Sequence, residues 1–192
     1  LKLGIMFYEQ GRSGRALEEF RLLLAEQENK NLRLLIAKIY EDKERYKEAL
    51  VELDLVRKME PDSVGVLLQI ARMQNLNENI KESIKVLEEA VKIEPNEDQL
   101  YHSLSLAYMS ENNYQVAIKN IRKAIEIDDR KDSYFFELGA LLERIGNYEE
   151  AINSMQQVLE INPMHSNAHN FIGYMYALQG KKLDLAIDHL KK

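Results

Sequence analysis

The chain has no cysteine, no tryptophan and no threonine, and its 192 residues include only three prolines and eight glycines. Without cysteine there are no disulfides, no thiolate metal site and no thiol nucleophile, although this leaves the redox compartment open. So little proline and glycine excludes collagen-like order and low-complexity disorder. No run of about 18 apolar residues occurs, so no membrane insertion is expected, and no charged start followed by an apolar core marks a signal peptide. An excess of one charge is also missing: up to Glu97 there are 16 basic and 19 acidic residues, and beyond it 10 and 13. Each half therefore carries a mild negative charge, which lacks the concentrated basic surface that nucleic acid needs. What is present, 45% apolar and 30% charged residues, is the mixture of a folded, soluble protein, and it leaves the compartment, cytoplasmic or periplasmic, unassigned. The chain starts at Leu1 without a methionine, so a missing leader or anchor carries no weight.

A repeat is visible in the prolines alone. Pro61 and Pro95 are 34 residues apart, and Pro95 and Pro163 are 68 apart. Tyr40, Tyr108 and Tyr176 also recur at 68, while Tyr46, Tyr114 and Tyr148 fall at multiples of 34. Two series of small residues keep the period as well: Ala37, Ala71, Ser105, Gly139 and Gly173, then Ala49, Ser83, Ala117 and Ala151.

Within the unit from Asp132 to His165, Phe135, Leu138, Gly139 and Leu142 recur at i, i+3, i+4 and i+7, one face of a helix. Gly146-Asn147 interrupts that helix, a second stripe follows at Ala151, Ile152, Met155, Val158 and Leu159, and Asn162-Pro163 closes the unit. Each unit thus reads as two helices joined by a short turn. A glycine inside a helix costs about 1 kcal/mol relative to alanine, so Gly4, Gly139 and Gly173 need a compensating gain. Close helix approach supplies it, and Gly139 is expected to meet Ala151.

These residues resemble the tetratricopeptide repeats. The likeness is carried by Phe135-x2-Leu138-Gly139-x2-Leu142 with Ala151, Met155, Val158 and Pro163, and by Tyr101-x2-Leu104-Ser105-x2-Tyr108 with Ala117, Ile121 and Ala124. It covers essentially the whole chain, read as a single array: a partial repeat at 1–29, repeats at 30–63, 64–97, 98–131 and 132–165, and a partial repeat at 166–192. The junction near Glu26 to Lys30 is one residue short, and Gly180-Lys181-Lys182-Leu183-Asp184 carries one insertion. That widened turn is similar to a form common in bacterial repeat proteins. Both ends look cut from a longer array. The resemblance implies an all-α, right-handed solenoid of about six stacked antiparallel helix pairs, with the first helices lining a concave side.

On each first helix, the positions one residue after the core stripe point away from the packed seam. They are Leu34, Lys38 and Glu41, then Leu68, Arg72 and Asn75, then His102, Leu106 and Met109, then Phe136, Ala140 and Glu143, then Asn170, Tyr174 and Ala177. With Arg144 they suit an amphipathic peptide or protein segment, the expected partner. The plainer alternative is that these side chains only seal adjacent first helices. Two binding modes of the family lack their residues here. A carboxylate clamp would need lysine and asparagine where Leu34 with Lys38, Gln69, and Ser133 with Glu137 stand. An asparagine ladder would need asparagine at Leu35, Gln69, Ser103, Glu137 and Phe171.

Catalytic constellations are missing from the sequence, and neither an enzyme activity nor a cofactor is expected. Gly11-Arg12-Ser13-Gly14 is neither a nucleophile elbow nor a phosphate loop, and no serine or threonine follows Gly180-Lys181. His165 and His169 are spaced i, i+4 but lack a third ligand, so no metal is expected. His102 reads as a solvated groove histidine. Glu18-Glu19, Glu88-Glu89 and Glu149-Glu150 read as acidic pairs at second-helix starts, favoured by the macrodipole. The function expected is a non-enzymatic interaction module. A self-associating or spacer element, with a homo-oligomer possible, and the accessory region of a larger enzyme are the alternatives.

Overall fold

The computed structural model describes residues 1–180 and 183–191. Among the described residues there are twelve α-helices and no strand. The chain divides into two compact units, Leu1–Pro95 and Asn96–Lys192. The first holds α1 (Lys2–Glu9), α2 (Ser13–Glu26), α3 (Lys30–Asp42), α4 (Tyr46–Met59), α5 (Val64–Leu76) and α6 (Ile80–Ile93). The second holds α7 (Asp98–Ser110), α8 (Tyr114–Ile127), α9 (Asp132–Arg144), α10 (Tyr148–Ile161), α11 (Ser166–Leu178) and α12 (Leu183–Leu190). Within each unit, three antiparallel helix pairs pack in series, so the fold class is an all-α helical repeat.

The turns inside the pairs explain why each first helix stops. At the residue after the helix C-cap the backbone turns left-handed, at Glu44, Glu78 and Asn112 and at Gly11, Gly146 and Gly180. The next amide then reaches back over the last helical turn, Arg45 N to Tyr40 O at 2.8 Å, Asn113 N to Tyr108 O at 2.9 Å and Asn147 N to Leu142 O at 2.9 Å. This satisfies carbonyls that the helix end would otherwise leave bare. Glycine takes the left-handed conformation without a Cβ penalty, whereas Glu44 and Glu78 carry one.

The seam between paired helices is built from the two small-residue series. A Cβ at Gly139 would lie 3.2 Å from Ala151 O and 2.8 Å from Met155 Cε, and one at Gly173 would lie 3.0 Å from Ala186 O. The expected approach of Gly139 to Ala151 is therefore present, and it explains how the cost of a helical glycine is offset. Ser83 closes the same seam differently, its buried hydroxyl donating to Ala71 O at 2.7 Å. Around these seams lie the largest buried side chains: Phe20, Ile36, Leu53, Leu67, Ile70 and Leu87 in the first unit, and Leu100, Ile121, Leu141 and Leu142 in the second.

Two sequence details take a definite form here. The linker between α2 and α3 is residues 27–29, one residue shorter than the linkers at 60–63, 94–97, 128–131 and 162–165. The inserted residue of the last turn falls at Lys181 and Lys182, which lie outside the described residues, while Ala186 beyond it is buried. One expectation is corrected. Glu149 and Glu150 do occupy the first turn of α10, but Glu18-Glu19 and Glu88-Glu89 lie in the bodies of α2 and α6, beyond reach of the helix N-terminus. Glu89 instead pairs with Arg57 at 2.7 Å.

Candidate interaction surface

In the first unit, α3 and α5 lie side by side and leave a pocket of about 260 Å³. Ala37, Leu53 and Met73 form its buried floor, and Leu34, Lys38, Glu41, Gln69 and Arg72 line it. Arg72 reaches across from α5 to Glu41 on α3 at 2.5 Å. Lys38 bonds Asp42 one turn along at 2.8 Å and approaches Glu41 at 3.4 Å. The bond to Asp42 holds the Lys38 ammonium above its ordinary pKa. Bonds from Lys38, and from the Tyr8 hydroxyl of α1, hold Asp42 below its own. Both cations keep about half their surface in water, so they can exchange these partners for a ligand carboxylate.

In the second unit, the facing first helices α7 and α9 are joined by a denser polar cluster. His102 Nε2 lies 2.8 Å from Glu137 Oε2, and the buried Ser105 hydroxyl donates to Glu137 Oε1 at 2.6 Å. One turn earlier, Asp98 accepts from both Lys131 and Tyr134. Burial alone would raise Asp98, but those two donors overcome it and leave its pKa below the ordinary value. Burial, with the bond to Asp98, pushes Tyr134 up to about 12. The His102 ring lies against Tyr134, tilted by 37° with centroids 4.8 Å apart, so His102 is a half-buried, paired residue rather than the solvated one expected. Its partner is missed when one helix is read at a time. The signal was available in the period, since His102 and Glu137 are 35 apart and Asp98 and Tyr134 36 apart.

The other residues of the row divide by exposure. Lys38, Arg72, Met109, Glu143, Arg144, Asn170 and Tyr174 are exposed, Tyr174 to 58%. Leu34, Leu68, Asn75, His102, Leu106, Phe136 and Ala140 are half-buried. Phe136 packs against the core around Ile152, Met155 and Ile172 and lies 5.2 Å from the His165 ring, so it does sealing work. His165 precedes α11, where its Nδ1 accepts from Ala168 N at 3.2 Å, and His169 is buried with its ring nitrogens 3.0 Å from Pro163 O and 2.8 Å from His189 Nδ1. Among the described residues, no group of three or more histidine or carboxylate side chains is placed to hold a metal ion. None of the described helices is long and apolar enough to cross a membrane.

The family model for the tetratricopeptide repeat matches residues 1–63 and 136–192, more than half of the chain. The chain is a tetratricopeptide repeat protein. A second model, described as anaphase-promoting complex, cyclosome, subunit 3, matches residues 76–158 of the same repeat protein. No curated protein matches it. Among solved structures, this repeat protein is similar to MamA from Desulfovibrio magneticus RS-1, at 19% identity over 85% of this chain and 93% of that one, with a TM-score of 0.74. It is also similar to YrrB, a TPR protein with an unusual peptide-binding site, at 20% identity over 92% and 94% with a TM-score of 0.68. A third is PilF of Pseudomonas aeruginosa, at 15% identity over 98% and 86% with a TM-score of 0.76. At these identities the likeness shows the helical-repeat fold alone.

Proposed function

We propose that this tetratricopeptide repeat protein is a non-enzymatic binding module that holds a peptide or protein segment along its first helices. The observation that carries the reading is the pocket between α3 and α5, where an apolar floor of Ala37, Leu53 and Met73 lies beneath the half-exposed cations Lys38 and Arg72. An apolar side chain of the partner fills the pocket, while a neighbouring carboxylate takes Arg72 or Lys38 from Glu41 and Asp42. On the second unit, Met109, Asn170 and Tyr174 offer exposed apolar and amide groups on the same row. The likeness to YrrB, whose own description is of a peptide-binding protein, supports the reading. Linear segments held this way commonly bind near micromolar Kd, about −8 kcal/mol.

The test is a pull-down from the source organism's lysate, with retained proteins identified by mass spectrometry. Wild type is compared with the Lys38→Glu, Arg72→Glu pair, whose exposed side chains can change sign without disturbing the core. A protein held by wild type and lost by the pair is the expected outcome. Equal retention by both, with both helical by circular dichroism, removes the pocket from the binding surface.

A further inference from the structure

An exposed glycine on α5 has no use inside the chain. The second residue of α3, α7, α9 and α11 is Asn31, Gln99, Ser133 or Asn167, whereas in α5 it is Gly65. A glycine in a helix is destabilising relative to alanine, and at Gly4, Gly139 and Gly173 a close neighbour that a Cβ would strike accounts for it. A Cβ at Gly65 would meet nothing within 4 Å, and its backbone does not take the left-handed turn of Gly11 or Gly146. Neither packing nor backbone conformation therefore calls for glycine here. What a missing Cβ still provides is room for another backbone to come close from outside.

Gly65 stands at the head of a row. Gly65, Gln69, Arg72 and Leu76 recur at i, i+4, i+7 and i+11, one face of α5, and all four are exposed, while Leu68 and Asn75 beside them are half-buried. Gln69 and Arg72 are also walls of the pocket between α3 and α5. Arg72 is 57% exposed and the Glu41 carboxylate that it bonds only 14%, so the row turns its cation outward and keeps the anion beneath, which suits a carboxylate on the partner. The Gln69 side-chain amide can donate to and accept from a peptide group at once. From Gly65 to Arg72 the helix rises about 10 Å, a distance that an extended segment covers in about three residues.

We propose that the partner of this pocket is an extended acidic peptide segment whose main chain crosses α5 over Gly65 and whose carboxylate meets Arg72 about three residues further on. The proposal rests on the reading of the pocket as a binding site and adds the charge of the segment and the path of its backbone. Two fluorescein-labelled, capped dodecapeptides test it by anisotropy titration at low salt. They carry leucine-aspartate or leucine-lysine at the centre, between flanks of serine and glycine. Wild type should bind the leucine-aspartate peptide at least tenfold more tightly than the other. Gly65→Ala and Gly65→Gln install better helix formers, so both should raise Tm, yet the first should weaken the leucine-aspartate peptide about threefold and the second at least tenfold. Gly14→Ala fills the equally open, exposed glycine of α2 and should raise Tm with the affinity unchanged.

No preference for aspartate in wild type, or affinity undiminished in both Gly65 variants, overturns the proposal. So does a fall in Tm on Gly65→Ala, since the fold itself would then require the glycine. A lysate partner lost by the Lys38→Glu, Arg72→Glu pair but held in full by Gly65→Gln removes the path over Gly65 and leaves the pocket as the binding site. A lysate partner indifferent to that pair removes the pocket itself.

Discussion

Asp98 lies where Lys131 and Tyr134 converge, and its titration makes part of the second unit's stability depend on pH. Its folded pKa is depressed, so its contribution to stability is present above the unfolded value of about 3.9 and is lost as pH falls through the folded value. Tyr134 works in the opposite sense. Raised to about 12, its hydroxyl contributes stability below the unfolded value of about 10, and that contribution is lost as pH climbs from there. The measurement is Tm against pH for wild type, Asp98→Asn and Tyr134→Phe. The gap between wild type and Asp98→Asn should be widest near neutral pH and close at strongly acid pH, and the gap to Tyr134→Phe should close above about pH 10. Parallel profiles for all three proteins would mean that the cluster contributes nothing that titrates.

At the scale of the element, the seam between paired helices decides what a position tolerates. Ala151 is fully buried, and its carbonyl already stands 3.2 Å from where a Cβ on Gly139 would sit. Ala151→Leu adds three carbons to a site with no room, and should cost about 1–3 kcal/mol, read as a lower urea midpoint at unchanged m-value. A midpoint equal to wild type would show that α9 and α10 can separate freely. This seam was legible in the sequence because glycine, serine and alanine keep the 34-residue period and because left-handed turns have a recognisable chemistry. Helix starts at Lys30, Val64, Asp98, Asp132 and Ser166 were legible for the same reason. The pairing of His102 with Glu137 shows only when neighbouring first helices are read together at a separation of 35 residues, since a stripe on one helix says nothing of which polar residue the next helix brings opposite. Phe136 shows the other limit: one place off the core stripe is a direction, and a large ring there can turn back onto the core of the next pair.

At the scale of the whole molecule, stability in a helical repeat is a sum of pair energies and nearest-neighbour terms, so damage spreads only as far as adjacent pairs transmit it. Each unit has its own fully buried side chains, Ile36, Leu67 and Ile70 in the first and Ile121, Leu141 and Leu142 in the second. A lesion at Ala151 sits in the seam of α9 and α10, whose other face meets the cluster of Ile152, Met155 and Ile172. Hydrogen exchange followed by mass spectrometry should therefore show Ala151→Leu losing protection across α9 to α12 while α1 to α4 exchange as in wild type. This local pattern also suits the binding module proposed above, because a segment seated on one helix pair then leaves the others free to hold their own geometry. Loss of protection spread evenly from α1 to α12 would instead make the chain one cooperative body. In that case charge reversals at Lys38 and Arg72 could no longer be read as local events.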